Sequence, residues 1–213
     1  MKLKKLLALT LAGAVLTASL TACTPLDAAE LVYDSIFGGG SSSTGSGNTG
    51  SGSTAEEAEN RAVAAAYVQS LIDNSETRSN YENITPAYDI PHLEEFVKAI
   101  DKYCTDECKT NEKSWEDTVH DLPEEKLEEL AAKVGLYKET YGSSRATLRF
   151  WKNPSGTPTQ QVQQMQKEAS ICNSFWDTTQ LGPYQGDAWF DSVVLTRTED
   201  GSKYRFLLSI CHN

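Results

Sequence analysis

Cysteine is the residue type in this chain whose chemistry can be named most directly. Four of the five cysteines lie in the later part of the sequence, at Cys104, Cys108, Cys172 and Cys211. In an oxidising compartment such thiols form disulfides, and four cysteines allow three pairings. Cys104 and Cys108 are one helical turn apart, where helical side-chain directions strain a bridge between them. We therefore predict that each of these two is paired with Cys172 or Cys211.

A zinc site is the alternative chemistry for the same thiols. Cys104 and Cys108, at positions i and i+4 of a helix, can coordinate one zinc ion. Cys172, Cys211 or His212 would complete the four ligands. The thiols fall on apolar faces of the expected elements, and the compartment inferred below is oxidising, so disulfides are favoured. We accordingly predict no metal ion and no other cofactor.

Residues 173–191 mix aromatic rings with the carboxylates of Asp177, Asp187 and Asp191. Aromatic faces beside carboxylates and amides are what a sugar- or peptide-binding surface needs. The candidate ligand-binding residues are Trp176, Asp177, Tyr184, Asp187 and Trp189. The competing interpretation is that these rings complete the core and cover an open face of the sheet, as large aromatics usually do.

No catalytic motif accompanies these residues. The sequence contains no G-x-S-x-G elbow, H-E-x-x-H helix or P-loop. Its three histidines, His92, His120 and His212, lie near expected helix ends or the chain end. The sequence therefore favours a protein that is not an enzyme. A hydrolase remains the alternative, because carboxylates that are paired only in three dimensions leave no sequence signature.

The fifth cysteine, Cys23, follows a targeting segment. The first five residues include three lysines, an apolar run extends from Leu6 to Leu20, and small residues precede the cysteine. This arrangement is typical of an export signal. The run is shorter than the roughly 20 apolar residues that a membrane-spanning helix needs.

The residues around Cys23 resemble the lipobox of bacterial lipoproteins: an apolar residue, two small residues and an obligatory cysteine, here Leu20-Thr21-Ala22-Cys23. The resemblance implies that residues 1–22 are removed and that the Cys23 thiol receives a diacylglyceryl group. The protein would then be exported and anchored to the bacterial membrane by its lipidated N-terminus. Each buried methylene contributes about 0.8 kcal/mol, and stable attachment takes two chains or signals. An ordinary secretory signal with a chance cysteine is the alternative.

The acidic charge balance excludes two classes of partner. The chain has 19 Lys and Arg against 30 Asp and Glu, and residues 1–22 contain three lysines and no acid. The mature chain therefore carries 16 basic and 30 acidic residues, a net charge of −14. Such a polyanion repels nucleic acid and anionic lipid headgroups, so the lipid is the expected membrane contact.

Composition divides the mature chain into three parts. Residues 23–37 are the lipidated juxtamembrane segment, and residues 38–54 contain only Gly, Ser, Thr and one Asn. This linker is expected to be a flexible coil with a root-mean-square reach of about 20–25 Å. Residues 55–213 suffice for one globular domain that buries roughly 70% of its unfolded-chain surface.

Helical patterns dominate the first half of the domain. The capping box of residues 54–57 predicts a helix over 55–73. Residues 74–91 are expected to form a polar loop. A second helix is expected to start at Pro91. Its buried stripe is Leu93, Phe96, Val97, Ile100 and Cys104. Ser114 is expected to cap a third helix, and a fourth begins near Glu124 and ends at Gly135.

The second half of the domain changes to strand patterns. Residues 144–151 alternate as a strand does, and residues 157–160 start an inserted helix with a capping box. The apolar face of that helix is expected to continue through Cys172 and Trp176. A final hairpin turns at residues 200–201. This turn is expected to place Leu195 opposite Phe206 and Val193 opposite Leu208.

The predicted fold class is α+β. A helical N-terminal half packs on a small, mainly antiparallel sheet with one inserted helix and a C-terminal β-hairpin. The element order resembles the helix-then-curved-sheet folds of NTF2-like proteins found among exported lipoproteins. That resemblance implies a helical cover on one curved sheet.

These observations predict a surface-exposed bacterial lipoprotein whose domain binds an envelope protein, a glycan or a peptide. An envelope hydrolase and an inhibitor or immunity-type lipoprotein are the alternatives. An exposed aromatic patch over residues 175–190 would favour the binding protein. A cleft holding two carboxylates, at least one with a raised pKa, would favour the hydrolase.

Overall fold

The computed structural model describes residues 54–142, 144–168, 171–179 and 182–212, which belong to one compact unit, Gly52–Asn213. The predicted signal segment, juxtamembrane segment and linker lie outside the described residues, apart from Thr54. The helices are α1 (Ala55–Asp73), α2 (Arg78–Tyr81), α3 (Leu93–Asn111), α4 (Trp115–His120), α5 (Glu124–Lys133) and α6 (Pro158–Lys167). The strands are β1 (Asn83–Ala87), β2 (Ser144–Lys152), β3 (Ile171–Trp176), β4 (Gln185–Thr196) and β5 (Lys203–His212). Within these residues, no helix combines the length and the apolar character needed to cross a membrane.

Side-chain caps start three of the helices where the sequence predicts them. Thr54 accepts a hydrogen bond from the Glu57 amide at 3.2 Å, and the Glu57 carboxylate accepts one from the Thr54 amide at 3.0 Å. Ser114 caps α4, and Thr157 opens α6 with a second capping box. Each cap satisfies amides that the first turn of a helix leaves without a partner. The predicted bounds of α1 are confirmed.

The five strands form one sheet in the order β1-β4-β5-β2-β3, with β1 parallel to β4 and the other pairs antiparallel. The predicted α+β class is therefore confirmed. Helices cover both faces of this sheet. The first core lies against α3, α4 and α5, and the second core lies against α1 and α6. The central strand β5 is consequently buried on both sides from Tyr204 to Cys211.

Two strands lie where the sequence predicts other structure. Helix α6 ends at Lys167, and Cys172 and Trp176 lie on β3 instead of on its extended apolar face. The helical spacing there is coincidental, because residues 171–176 pair with β2. Strand β1 lies in the predicted polar loop. Its Pro86 argues against a central strand, yet proline is tolerated on an edge strand such as this one.

Two predicted details near helix α3 and in the final hairpin are wrong. Helix α3 begins at Leu93 instead of Pro91, because His92 adopts a left-handed conformation (φ 67°) just before it. In the hairpin, Leu195 pairs with Tyr204 and Val193 with Phe206. This register differs by two residues from the prediction. An even shift keeps every side chain on its predicted face.

The buried Arg197 accounts for the hairpin register. Its backbone bonds close the loop to Ser202 and Gly201 at 2.9 and 3.0 Å. Its guanidinium lies 4.7 Å from the centre of the Trp115 ring and donates a hydrogen bond to Asp200 at 3.0 Å. The ladder therefore stops at Thr196, and a six-residue loop replaces the predicted two-residue turn.

Candidate functional site

The predicted binding residues gather at one end of the sheet but mostly do not form a surface. Trp176 and Tyr184 are only 8% and 6% exposed. Asp177, which follows Trp176 in the sequence, is partly exposed, and it accepts a hydrogen bond from the Thr179 hydroxyl at 2.6 Å. Among the large hydrophobic residues of the described chain, the exposed one is Tyr137, at 51%. The exposed aromatic patch over residues 175–190 is therefore not formed, and most of these rings complete the cores.

Trp189 is the exception among the predicted aromatic residues. On β4, Ala188 and Phe190 point into the second core. Because side chains alternate along a strand, Asp187, Trp189 and Asp191 share the opposite face. The Trp189 ring is half-buried and packs against the rim of the first core, and Asp187 is exposed. This face of β4, next to the edge strand β1, presents one aromatic ring between two carboxylates.

Three residues from other elements complete this arrangement, which we call the β4 corner. The corner consists of Asp89, Tyr141, Asp187, Trp189, Asp191 and His212. The Tyr141 ring meets the Trp189 ring edge to face at a centroid distance of 5.0 Å, and His212 lies 6.2 Å from Trp189. Burial and the charge of Asp89 raise the pKa of Tyr141. Its hydroxyl is therefore a neutral donor beside the carboxylates.

Trp176 contacts the corner from within the first core, through the ring of Tyr141. Its ring stacks on Tyr141 at 5.8 Å with an interplanar angle of 25°. Its backbone is left-handed (φ 69°), a conformation that bulky residues rarely adopt. The Trp176 amide donates a hydrogen bond to the Glu128 carboxylate of α5 at 3.0 Å, which helps to hold this turn. Trp176 thus positions Tyr141 from within the core.

Gly186 lies next to His212 at the same end of the sheet. Its φ of 68° favours glycine, and a Cβ at this position would lie 3.6 Å from His212 Nε2, an ordinary contact distance. The imidazole thus lies close to the start of β4 as well as to the ring of Trp189.

Asp191 is the most perturbed carboxylate of the corner. Its Oδ2 accepts a hydrogen bond from the Ile90 amide at 3.2 Å, and its Oδ1 accepts one from the Ser192 amide at 2.8 Å. Burial raises the pKa of Asp191 to about 6, although both amides lower it. The charge of Asp89 raises this pKa further, and that of Arg61 lowers it. Asp191 can therefore exchange a proton near neutral pH.

Asp191→Asn is expected to change how stability depends on pH. The folded-state pKa of about 6 lies above the ordinary value of 3.8, so protonated Asp191 favours the folded state. Its stabilisation is fully present below about pH 4 and is lost as the pH rises through 6, a change on the order of 2 kcal/mol. Urea denaturation between pH 4 and 7 should show this fall in the native protein and a flatter profile in the variant. Asp187→Asn is the matched control on the same strand, and parallel profiles for all three proteins would contradict the assignment.

Three of the four cysteines that are predicted to form disulfides have described side chains. Cys104, Cys108 and Cys211 are free in the structure, and the side chain of Cys172 lies outside the described residues. Cys104 and Cys108 lie at the first core and Cys211 in the second, on opposite faces of the sheet. A bridge from Cys211 to either α3 cysteine would therefore have to cross the sheet, which the short reach of a disulfide disfavours. Pairing of Cys104 or Cys108 with Cys172 stays a prediction.

The described thiols have little nucleophilic or metal-binding character. Burial raises the pKa of Cys104 and of Cys211 to about 12, which keeps both protonated. The Cys108 sulfur lies 3.3 Å from the Thr118 hydroxyl. Within the described side chains, no group of three His, Cys, Asp or Glu residues could hold a metal ion. The zinc alternative gains no support there.

The candidate binding residues of the sequence include two of the six residues of the β4 corner. Asp187 and Trp189 were candidates, and the alternation of β4 is the signal that could have added Asp191. Asp89 and Tyr141 are far from β4 in sequence, so no local pattern could have found them.

Comparison with known proteins adds no assignment to these observations. No protein-family model matches the chain, and no curated protein or solved structure matches it either. The resemblance to NTF2-like proteins stays a prediction. The chemistry of the corner is consequently the basis for a functional proposal.

Proposed function

We propose that this protein is a membrane-anchored bacterial lipoprotein whose domain binds an envelope glycan at the β4 corner. The single observation that carries the binding site is the half-buried ring of Trp189 between Asp187 and Asp191 on one strand face. The lipobox at Cys23 and the linker at 38–54 support the extracytoplasmic location. The site and the location are independent parts of this proposal.

The chemistry of the corner suits a neutral or amine-bearing sugar. The apolar face of a sugar ring packs on an indole, and the sugar hydroxyls donate hydrogen bonds to carboxylates. Asp187 is exposed and accessible for such bonds. Tyr141 packs edge to face with the Trp189 ring and so holds that ring in position. An acidic glycan would be repelled by three carboxylates, so the site selects against anionic sugars.

Trp189→Ala is expected to weaken glycan binding at least tenfold, because a stacked anchor residue carries much of the binding energy of a site. Asp187→Asn should weaken it several-fold. Binding of purified envelope glycan fragments to the mature protein can be followed by calorimetry. Tyr137→Ala, which removes an exposed ring outside the corner, is the control and should bind normally. Equal affinity in Trp189→Ala and the native protein would refute the site.

A pull-down from envelope extract with the immobilised mature protein, native and Trp189→Ala, separates the remaining alternatives. Retention of an envelope peptide at the same residues would change the ligand class and keep the site. Retention of a folded envelope protein, insensitive to Trp189→Ala, would favour the inhibitor or immunity-type alternative.

A hydrolase is the second candidate function, and the protonation of Asp191 favours it. A carboxyl group whose pKa is raised to about 6 beside a second carboxylate, Asp89, is the arrangement that general acid catalysis uses. Mass spectrometry of glycan fragments after incubation would detect cleavage. Loss of cleavage in Asp191→Asn, with binding retained, would identify an enzyme. Intact fragments with the native protein would leave binding as the function.

A further inference from the structure

We propose that a single water molecule is bound inside the protein, between the sheet and the helices α1 and α6. Its protein ligands would be Trp151 Nε1, Arg205 Nε and Gln161 Oε1, which we call the internal water site. The site lies at the second core, on the other face of the sheet from the β4 corner. It therefore does not rest on the proposed glycan site, and the two proposals can fail separately.

Three buried polar atoms carry this proposal. Within the part of the chain that the structure describes, Trp151 Nε1, Arg205 Nε and Gln161 Oε1 are enclosed and have no hydrogen-bond partner. Their side chains are only 3%, 1% and 2% exposed. Buried polar groups in native proteins are bonded to protein or to ordered water, because an unmade bond there costs the full desolvation of the group. A ligand that can form hydrogen bonds is therefore expected here.

Strand pairing places Trp151 and Arg205 side by side. They are partners in the register of β2 and β5, so their side chains leave the sheet on the same face. Trp151 belongs to the second core, and Arg205 shares its face of β5 with Leu207, another residue of that core. The two N–H groups without a partner consequently start from adjacent positions of the sheet, on the face that α1 and α6 cover.

Helix α6 brings the acceptor to the same place. Glu59 Oε1 accepts hydrogen bonds from Arg205 Nη2 at 2.7 Å and from Gln161 Nε2 at 2.9 Å, so the guanidinium and the amide flank one oxygen atom. Gln161 Nε2 also donates to the Gly156 carbonyl at 3.1 Å. Because both partners of this amide nitrogen are acceptors, the orientation of the amide is fixed, and Oε1 is the atom left to accept a hydrogen bond.

Water matches this set of groups in number and in charge. Two donors and one acceptor require a ligand that accepts twice and donates once, and a buried water typically makes about three hydrogen bonds. An anion would face the lone pairs of Gln161 Oε1 and the nearby Glu59 carboxylate, which repel it. A cation would be repelled by the Arg205 guanidinium and by the indole N–H. A neutral water molecule avoids both conflicts.

The internal water would extend the polar network of Arg205. That network already ties α1 to the sheet through Asn60 and Glu59. The added hydrogen bonds would join β2 through Trp151 and α6 through Gln161, so that α1, α6, β2 and β5 share one buried network. Because all of its protein ligands are buried, this water should exchange only slowly with the solvent.

Magnetisation transfer between water and the isotope-labelled mature protein tests the site. In the native protein, the Trp151 indole N–H and the Arg205 Nε–H should both show a cross-relaxation peak at the water frequency, with the sign of a bound molecule. Peaks with the sign of chemical exchange, or peaks to protein protons alone, would overturn the proposal. A water peak at only one of the two groups would overturn it as well, because one shared water must reach both.

Two variants of α6 make the result specific to this site. Gln161→Leu removes the acceptor and should reduce the water peak at Arg205 Nε–H at least several-fold. Met165→Leu changes another buried residue of the same helix without removing a hydrogen-bonding group of the site, and it should leave both peaks in place. Unchanged peaks in Gln161→Leu would show that the amide does not hold the water and would overturn the site.

A crystal structure of the native protein decides the question even if Gln161→Leu folds poorly. Density for one water oxygen within hydrogen-bond distance of Trp151 Nε1, Arg205 Nε and Gln161 Oε1 is the expected result. The absence of such a water, or a water bonded to fewer than these three atoms, would overturn the proposal.

Discussion

Arg205→Ala is expected to lower the free energy of unfolding by about 3–5 kcal/mol, because it removes the hydrogen bonds of a buried guanidinium and leaves a cavity in the second core. Arg205 is 1% exposed on the central strand. Its Nη1 donates to Asn60 Oδ1 at 2.6 Å and to Ser192 Oγ at 3.1 Å, and its Nη2 donates to Glu59 Oε1 at 2.7 Å. One guanidinium therefore ties α1 to β4 and β5.

The network around Arg205 explains why this loss would be large. Glu59 Oε1 also accepts a hydrogen bond from Gln161 of α6 at 2.9 Å, and Ser192 Oγ donates one to the Asn60 carbonyl at 2.8 Å. In the variant, the buried amide of Asn60 would lose a charged donor, and a cavity would remain beneath α1. Glu59 is about half exposed and can rehydrate, so it does not add to the loss.

Urea denaturation measures this effect directly. Lys203→Ala, at an exposed position of the same strand, is the matched control and should change stability by less than about 0.5 kcal/mol. Arg205→Met should recover part of the loss by filling the cavity with apolar atoms. A loss below about 1 kcal/mol in Arg205→Ala would show that the network does not hold α1 and α6 to the sheet.

Cys23→Ala is expected to move the protein from the membrane fraction to the soluble fraction. The lipobox predicts that the acyl chains are attached through the Cys23 thiol, and alanine has no sulfur to accept them. Two acyl chains, at about 0.8 kcal/mol per buried methylene, would provide the predicted anchor, so their loss should abolish stable attachment. The acidic mature chain offers no electrostatic attraction to anionic headgroups in compensation.

Fractionation of cells, together with mass spectrometry of the purified N-terminus, checks this prediction. Cys108→Ala removes a different thiol and should leave the protein in the membrane fraction. An N-terminus that still carries residues 1–22, with an unmodified Cys23 thiol, would contradict the lipoprotein assignment. It would also remove the reason to expect an oxidising compartment for Cys104 and Cys108.

Local signals predicted the helices well. The caps at Thr54, Ser114 and Thr157 act within one turn of the chain, so their effect is readable from adjacent residues. The buried stripe of α3 follows the 3.6-residue period, and all five of its predicted residues are buried. The faces of the hairpin strands were also correct, because alternation survives an even shift in register.

These local signals do not predict which distant segments pair with each other. Strand β3 continues an apolar helical spacing, and only its pairing with β2 makes it a strand. Strand β1 contains a proline, and it is a strand because it pairs in parallel with β4. The hairpin register depends on Arg197, whose acidic partner Asp101 lies on α3.

The sequence by itself determined the starts of the capped helices α1, α4 and α6, the faces of the hairpin strands and the acidic charge, because each depends on neighbouring residues or on composition. The membrane address stays a prediction from the same kind of local signal. Only the tertiary structure decided that the aromatic stretch is largely core, that Cys211 lies across the sheet from Cys104, and which side chains meet at the β4 corner. The physical reason is distance along the chain. Asp89 meets Asp191, and Tyr67 meets Arg149, only after the sheet has assembled and both of its faces are covered.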